Sequence, residues 1–547
     1  MELVYTSHFR DTVPSLLFSL PDKEYLTFDS ILYLGAPLDS SRILRQKNFL
    51  TLAVPLASGE SAPLLFSFKL RFEQMRRLLH RGASHALVQR WHPVVLARQG
   101  DNWAVGGDGF SPVPEIGDFR VEILFDSAFQ IIAPGQFLNE VEHLGLISDR
   151  QDTVFTELYP DLAANSRALR SAHFVASGCE RFDFALVRQP QASRIVYRSQ
   201  KIDIYSAEWI SDDVSDRFIT KATEISRRVI DLLGPLPDGR LVAFLTRGEF
   251  DQGPGSRLAT INTSSRDPKI VLADLTVALT RQYFSSSLPD TGSLFLSTGA
   301  SVYFAALVLH GLYGDDGYAM LSEWIDWNLP PRDPRSFFGP PAFAWMENIR
   351  KPNRPWSTGD SILYQQIVVS PSALQILANT AEISAVNDAL MGISLSTRHR
   401  HVSDAEIIES LSQATGQSAE ARMRAWQWPE MSFDWSIRDV KLVNESDSFV
   451  VSGILEAKCL LALPVEVAVI SGKDTLAQII TPDTSSDGAT WFNFKLRSRP
   501  LAITIDPRHR LPDRNRQNNR HVFQFGQSRP EEQSAEFPTF RRLVRGD

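Results

Sequence analysis

The stretch Val271-Leu-Ala-Asp-Leu-Thr-Val-Ala-Leu-Thr-Arg-Gln-Tyr-Phe284 decides the fold of the region around it. Its apolar side chains recur at intervals of three and four residues, a spacing that predicts an amphipathic α-helix. Gly234-Pro235 ends an earlier helical pattern, and Thr298-Gly299 opens a later one. The segment is therefore predicted to be one of several helices that pack together in the middle of the chain.

Length and charge restrict the classes of protein that remain. The chain has 547 residues, of which 43% are hydrophobic, and this length predicts roughly three or four domains. The formal net charge of −8 offers no basic field for nucleic acid, so we expect no nucleic-acid partner. Cys179 and Cys459 are the only cysteines, which leaves either one bridge or two buried thiols.

The sequence predicts no membrane span and no secretory signal. The longest apolar run, residues 300–309, has about ten residues, whereas a membrane span needs about 20. The first ten residues lack a basic stretch followed by an apolar core. We therefore expect a soluble polypeptide that is cytoplasmic or peripheral to a membrane complex.

Hydrophobic periodicity divides the chain into a multidomain α+β protein. Residues 1–205 are predicted to form a β-sandwich-like domain with one helix near 72–81, and residues 206–428 a mixed α/β and helical domain. Residues 429–522 are predicted to form a small immunoglobulin-like β-sandwich, and residues 523–547 an unstructured tail. The predicted strands lie at residues 50–56, 64–70, 119–125, 182–187, 201–205, 241–245, 439–443, 449–455, 465–470, 492–496 and 502–505. One predicted helix ends at Leu233. The others lie at residues 272–284, 298–312, 318–327, 373–377, 383–391 and 404–412.

Several short phrases resemble those of one enzyme family in order and spacing. They are Trp91-His92-Pro93, Ala133-Pro-Gly-Gln-Phe137, Leu233-Gly-Pro-Leu-Pro237, Gln282-Tyr283-Phe284, Phe295-Leu-Ser-Thr-Gly-Ala-Ser-Val-Tyr303, Ile505-Asp-Pro-Arg508 and Leu511-Pro-Asp-Arg-Asn-Arg-Gln-Asn-Asn519. Together they resemble the aminopeptidase N-like (gluzincin) zinc metallopeptidases, particularly the type associated with bacterial ABC-2 permeases. The resemblance implies a thermolysin-like fold for residues 206–428.

The resemblance places the zinc site of the family on residues that cannot ligate zinc. Its two His ligands fall on Val277 and Arg281, its catalytic Glu on Ala278 and its distant Glu ligand on Thr298. An aliphatic side chain has no ligand atom, and a guanidinium carries a permanent positive charge. The sequence therefore predicts a degenerate peptidase that has no metal or other cofactor and no catalytic residues, and hence is not an enzyme. A frame shifted by one residue would use Thr276 and Thr280, still without imidazole.

Three other residues are candidates for the cleft that the resemblance implies. Arg257 lies in the segment where the family grips a free amine, and no carboxylate is present there. Tyr364 is the candidate for the family's catalytic Tyr, with a packed aromatic side chain as the alternative. Arg281 would pair either with a ligand carboxylate or with a carboxylate of the chain itself.

The histidines do not predict a replacement metal site. His80 and His85 are five residues apart and would not share one helix face. His399 and His401 stand in a polar stretch that favours a surface loop.

The sequence favours a scaffold or accessory subunit of a larger transporter complex, with protein partners such as a membrane permease. A first alternative is a peptide- or amino-acid-binding protein that uses the former cleft, and a second is a metallopeptidase with an unrecognised site. Phe537, Phe540 and the basic residues 541–545 suggest a docking motif, with a disordered terminus as the alternative.

Overall fold

A computed structural model gives the three-dimensional structure of the chain. It describes residues 2–6, 12–20, 26–46, 48–70, 79–81, 85–89, 91–99, 102–103, 114–143, 169–206, 212–236, 239–247, 257–265, 267–284, 296–328, 370–381, 383–396, 401–416, 419, 434–458, 464–472, 475–481, 489–507 and 516–523. Two compact units divide the chain, Met1–Gln427 and Trp428–Asp547.

The first unit begins with a series of antiparallel sheets. Its strands are β1 Glu2–Thr6, β2 Leu16–Ser19, β3 Leu26–Tyr33, β4 Ala36–Pro37, β5 Ile43–Gln46, β6 Phe49–Leu52, β7 Ser61–Leu70, β8 Leu79–Arg81, β9 His85–Val88, β10 Val94–Val95, β11 Arg98–Gln99, β12 Asn102–Trp103, β13 Gly117–Asp126, β14 Gln130–Ile132, β15 Gln136–His143, β16 Leu169–Cys179, β17 Phe184–Val187, β18 Gln191–Tyr197, β19 Gln200–Ser206, β20 Arg240–Thr246 and β21 Leu258–Asn262. The first two sheets have the orders β1-β7-β3-β4 and β10-β2-β6-β5. They share one apolar core, in which the rings of Phe18 and Phe66 meet edge to face at 5.2 Å.

Three further sheets carry the chain from this β region to the helices. Two are antiparallel, with the orders β13-β16-β15 and β14-β17-β9-β8. The third has the order β18-β19-β20-β21, in which β19, β20 and β21 are parallel and β18 is antiparallel to β19. Strand β20 is buried along most of its length, as expected for a parallel strand covered on both faces.

Seven described helices complete the first unit. They are α1 Asp212–Leu233, α2 Pro268–Arg281, α3 Leu296–Tyr313, α4 Asp315–Asn328, α5 Ser370–Thr380, α6 Ile383–Ser396 and α7 Asp404–Thr415. Helix α2 packs against α1, α3, α4 and β21, and nearly all its residues from 271 to 280 are buried. Helix α2 is therefore buried on most sides and has no extended polar face, in contrast to the amphipathic helix that the sequence predicted.

The second unit consists of two antiparallel sheets. Its strands are β22 Asp434–Glu445, β23 Ser448–Lys458, β24 Val465–Ser471, β25 Thr475–Ile480, β26 Ala489–Leu496, β27 Pro500–Ile505 and β28 Arg520–Val522. The sheets have the orders β22-β23-β26 and β25-β24-β27-β28. Alternate residues of β26, among them Phe492 and Phe494, are buried, which is the pattern of a strand with one face on a core.

The structure confirms a mixed α and β protein with several antiparallel sheets and corrects one element. The segment Leu79–Arg81, which the sequence placed in a helix, is strand β8 and pairs with β9. The rest of that predicted helix, residues 72–78, lies outside the described residues. Cys179 is a buried thiol, and Cys459 lies outside the described residues. Among the described helices, none is both long and apolar enough to cross a membrane.

Candidate functional site

A buried carboxylate fixes helix α2 between a strand and another helix. Asp274 is 4% exposed, and its two oxygens accept separate hydrogen bonds. Trp324 of α4 donates its indole N–H to Oδ1 at 2.8 Å, and the backbone N–H of Asn262 at the end of β21 donates to Oδ2 at 2.8 Å. A buried carboxylate is tolerated where such donors satisfy it, so Asp274 holds α2 in place.

Local signals at the start of α2 explain where the helix begins. Asp267 has an extended backbone, and its side chain accepts a hydrogen bond from the backbone N–H of Lys269 at 2.9 Å. Pro268 occupies the first helical position, where its missing N–H costs nothing. The sequence placed the start four residues later because only the apolar spacing was used.

After Ile270, helix α2 is partly exposed only at Ala278 and Arg281, near its C-terminal end. Val277 is fully buried, whereas Ala278 and Arg281 are half-buried, and they are the predicted zinc-site positions of this helix. Thr298, the predicted position of the distant ligand, lies in the first turn of α3 and is 5% exposed. The helix α2 thus presents a methyl group and a guanidinium at its open side.

The shifted frame places both of its residues in the core. Thr276 and Thr280 are fully buried, and each hydroxyl donates to a backbone carbonyl of α2. The hydroxyl of Thr280 also contacts the carbonyl of Ser301 in α3 at 2.8 Å, which joins the two helices. These threonines are therefore packing residues with satisfied hydroxyl groups.

Arg257 connects the end of α2 to the β region. One terminal nitrogen, Nη1, donates to the carbonyl of Gln282 at 2.7 Å, and Nη2 donates to the carbonyl of Gly178 at 3.1 Å. Gly178 lies near the end of β16 and Gln282 is the C-cap of α2. The predicted cleft residue Arg257 is thus a bridge between two backbone segments that border the open side of α2.

Two of the phrases that suggested the family meet in space. The hydroxyl of Tyr283 donates to the carbonyl of Gly234 at 2.8 Å, which ties the end of α1 to the end of α2. Phe284 stacks on Phe304 of α3, with ring centroids 5.7 Å apart. The spacing of these phrases along the chain therefore reflects a real packing arrangement.

Gly299 permits a close approach between α3 and α5. A Cβ atom at this position would lie 2.4 Å from the Cβ of Ser370, closer than atoms of real side chains approach. The glycine that follows Thr298 is thus required by packing, whatever the chemistry of the neighbouring residue.

His92 of the phrase Trp91-His92-Pro93 is a buried neutral imidazole. Burial lowers the pKa of His92, although its hydrogen bond with the carbonyl of Pro93 acts in the opposite direction. Its Nε2 accepts from the backbone N–H of Phe182, and the Trp91 indole donates to the carbonyl of Phe182 at 2.7 Å. The phrase therefore joins two segments of the β region.

The remaining predicted residues are Tyr364 and four histidines. Tyr364 and His399 lie outside the described residues. His85 is buried, and its Nε2 lies 2.7 Å from the hydroxyl of Thr246, while His80 stands on the neighbouring strand β8. His401 lies 2.6 Å from the carbonyl of Pro114 through Nε2.

The described residues do not fit a zinc ion. The resemblance places the zinc ligands on the isopropyl group of Val277, the guanidinium of Arg281 and the hydroxyl of Thr298, none of which is an imidazole or a carboxylate. It places the catalytic Glu on the methyl group of Ala278. Within the described part of the chain, no group of three His, Cys, Asp or Glu side chains is placed to hold a metal.

A cluster of charged residues that the sequence did not predict lies on the sheet β18-β19-β20-β21. Asp203 of β19 is 2% exposed, and both Arg194 of β18 and Arg240 of β20 donate to it. Burial would raise the pKa of Asp203, but the hydrogen bonds and charges of the two arginines outweigh burial and lower it. The alternation of charged and aliphatic residues in Lys201-Ile-Asp-Ile-Tyr205 was the available signal.

Solved structures share this fold at low sequence identity. Aminopeptidase A of Legionella pneumophila, in complex with aspartic acid, matches with a TM-score of 0.60 and 12% identity over 92% of this chain and 56% of its own. The M1 zinc metallopeptidase of Deinococcus radiodurans matches with a TM-score of 0.51 and 16% identity over 78% of this chain and 88% of its own. The chain has an aminopeptidase N-like fold. A mutant two-domain M1 zinc metallopeptidase bound to L-arginine matches with a TM-score of 0.50, 16% identity, and coverage of 78% and 88%.

These matches concern the fold alone. The chain spans little more than half the length of the Legionella aminopeptidase. No protein-family model matches the sequence, and no curated protein matches it.

The comparisons correct one prediction. The sequence predicted that the chain is not an enzyme, but its structural neighbours are described as an aminopeptidase and zinc metallopeptidases. That prediction is wrong as drawn, since these neighbours point to an enzyme. The predicted loss of zinc-site side chains at Val277, Ala278, Arg281 and Thr298 concerns one metal site and not the whole fold.

Proposed function

We propose that the chain is a peptide- or amino-acid-binding protein whose ligand enters at the C-terminal end of α2. One observation carries the proposal, namely that the buried helix opens at Ala278 and Arg281. A small side chain followed one turn later by a guanidinium provides space and a carboxylate-binding group on the same face. Arg281 is proposed to pair with a carboxylate of the ligand.

Two further observations support an amino acid or peptide as the ligand. Arg257, whose guanidinium donates to the carbonyls of Gln282 and Gly178, lies beside the end of α2 and adds a second positive charge there. The Legionella neighbour is described in complex with aspartic acid, and the mutant two-domain M1 zinc metallopeptidase is described with bound L-arginine. We propose the same class of ligand, an amino acid or a peptide, for this chain.

Calorimetry with defined ligands tests the proposal. L-aspartate, an acidic dipeptide and the same dipeptide with an amidated C-terminus would be titrated into the natural chain. We expect Arg281→Gln to weaken binding by about tenfold, since one charge-assisted pair is lost. Arg217→Gln, which removes an exposed arginine of α1, is the matched control and should leave binding unchanged. Absence of binding by every ligand would refute the proposal.

The same samples decide between binding and catalysis. The second alternative, a metallopeptidase with an unrecognised site, predicts that the peptide is cleaved and that the purified protein contains stoichiometric zinc. Mass spectrometry of the titrated peptide and elemental analysis of the protein measure both quantities directly.

We also propose a division of the chain into domains. Residues 1–205 would be the N-terminal β-sandwich-like domain, residues 206–428 the thermolysin-like domain and residues 429–522 the immunoglobulin-like sandwich. The sheets of the second unit support the last assignment, because each strand pairs antiparallel with its neighbours.

The role as a scaffold or accessory subunit of a transporter complex stays a prediction, as does the permease-associated type of the family. A pull-down from native membranes with the full chain and with a chain lacking residues 523–547 tests both. Loss of a captured permease with the shorter chain would support docking through the tail.

A further inference from the structure

The first unit contains a cavity whose lining includes no residue of α2. It has a volume of about 510 Å³, a size typical of sites for small molecules. Strands β14, β15 and β16 form one side, and strands β18, β19 and β20 form the other. We call it the basic cavity, and it is lined by Gln130, Ile131, Ile132, Ala133, Gln136, Phe137, Arg170, Phe174, Arg194, Lys201, Tyr205, Arg240 and Val242.

Strand register explains why the charged residues of one wall converge. Lys201 pairs with Arg240, and Arg194 pairs with Asp203. Because side chains alternate along a strand, residues 201, 203 and 205 of β19 share one face, and their partners on β18 and β20 share it with them. That face carries three cationic side chains and one carboxylate toward the cavity.

One carboxylate cannot neutralise the cations of this wall. Asp203 accepts hydrogen bonds from both Arg194 and Arg240, so its charge is already shared. Lys201 is exposed at the cavity, and its ammonium adds a positive charge beside the two arginines. Arg170 of β16 also lines the cavity. The backbone position of Glu142 lies opposite Arg170 in the register of β15 and β16. The basic cavity thus concentrates positive charge in a chain with a net charge of −8.

The structure holds Arg240 in place on the opposite side as well. Its Nη1 donates to the carbonyl of Gly135 at 3.0 Å. Gly135 has a φ of +76°, and a Cβ atom there would lie 2.2 Å from the carbonyl oxygen of Val175. The glycine of the phrase Ala133–Phe137 therefore lets its carbonyl face Arg240, which fixes the guanidinium before any ligand arrives.

The other wall of the basic cavity is aromatic. Phe137 is 41% exposed, and its ring centroid lies 5.5 Å from that of the buried Phe174. Ile131 of β14 continues this apolar surface. A ligand that fills the cavity would therefore place charged oxygens on one side and an apolar group on the other.

We propose that the basic cavity binds a small organic anion that carries at least two negative charges on phosphate or carboxylate oxygens and an apolar, ring-sized group. The oxygens bind Lys201 and the remaining N–H groups of Arg194, since guanidinium groups match oxyanions in geometry. The apolar group packs on Phe137. This site is separate from the open end of α2, so it does not depend on the function proposed there.

Four probes separate the contributions to binding. Phenyl phosphate and phthalate carry two charges and a ring, inorganic phosphate carries charge alone, and phenol carries the ring alone. Calorimetric titration of the natural chain should show saturable binding of phenyl phosphate, phthalate or both, and whichever binds identifies the oxyanion. Binding should weaken as sodium chloride rises from about 50 mM to about 500 mM, because salt screens charge. Failure of both ring-bearing anions to bind would overturn the proposal.

Single substitutions at exposed residues locate the site. Lys201→Glu should weaken binding of the ring-bearing anion by about tenfold, whereas Arg120→Gln, at an exposed arginine of β13 outside the cavity, should not. Phe137→Ala should weaken the ring-bearing anion by about threefold and leave inorganic phosphate unchanged. Equal effects of Lys201→Glu and Arg120→Gln would contradict the proposal, since they would show a nonspecific response to net charge.

Discussion

The end of α2 and the basic cavity use charge in opposite ways. On α2 the buried carboxylate of Asp274 is satisfied by an indole and a backbone N–H, and the open side has a single guanidinium. The basic cavity is lined by four cationic side chains, two of which, Arg194 and Arg240, donate to the buried carboxylate of Asp203. The buried part of α2 thus holds one carboxylate with satisfied oxygens, whereas the lining of the basic cavity includes several cations. The buried charge of α2 therefore serves packing, whereas the charge of Lys201 in the basic cavity stays exposed.

The largest expected effect comes from restoring ligands to the end of α2. We expect a variant that combines Val277→His, Ala278→Glu, Arg281→His and Thr298→Glu to bind one equivalent of zinc, with an apparent free energy on the order of 10 kcal/mol. Elemental analysis after dialysis measures the zinc content of this variant and of the natural chain.

A shifted set of substitutions serves as its control. Thr276→His, Val277→Glu and Thr280→His, together with Thr298→Glu, introduce the same groups at positions in the core and should not bind zinc. Equal zinc content in the restored variant and the natural chain would show that the alignment of α2 with the zinc helix is wrong.

Removing the carboxylate that fixes α2 should have the next largest effect. We expect Asp274→Ala to lower the free energy of unfolding by about 3 kcal/mol, because two buried donors lose their acceptor. Chemical denaturation followed by tryptophan fluorescence measures the change. Asp274→Asn retains one acceptor oxygen and should cost less, so an equal loss in both variants would count against this account.

The basic cavity should show its charge in the dependence of stability on pH. The pKa of Asp203 is lowered in the folded state from an ordinary value of 3.8, so ionised Asp203 stabilises the fold above that pH. This stabilisation is lost as the pH falls below 3.8 through the lowered pKa.

Denaturation of the natural chain and of Asp203→Asn from neutral to acidic pH measures that dependence. The difference in stability between them should be constant at neutral pH and should shrink once the pH falls below about 4. A difference that stays constant down to the acid-unfolding region would show that the two arginines do not stabilise the carboxylate.

The smallest effect concerns the link between α1 and α2. Tyr283→Phe removes the hydroxyl that donates to the carbonyl of Gly234 and should lower the free energy of unfolding by about 1 kcal/mol. Tyr303→Phe, which removes a hydroxyl that contacts Asn387, is the matched control for loss of a buried hydroxyl. Only Tyr283→Phe should also weaken a ligand bound at the end of α2.

The sequence predicted the elements of the fold wherever a single segment carried the signal. The apolar spacing of 272–284 and the alternation of 492–496 each depend on adjacent residues, and both elements form close to the predicted positions. Leu79–Arg81 was assigned wrongly because a strand of three residues is too short for its period to be distinguished from that of a helix.

The candidate sites were predictable to different degrees. The end of α2 could be located because its residues are contiguous and resemble a known motif. The basic cavity could not, since Gln130 and Val242 mark the limits of a lining drawn from six strands. Only the register of β18, β19 and β20 shows that Arg194, Lys201 and Arg240 share one face.

Arg257 also adds long-range contacts to the fold. It is 25 residues from Gln282 and 79 residues from Gly178 along the sequence, yet it hydrogen bonds to both. Contacts between such distant residues form slowly, because a long loop must close before they are gained. We therefore expect the hydrogen bond of Arg257 with Gly178, which closes the longer loop, to form later in folding than its hydrogen bond with Gln282.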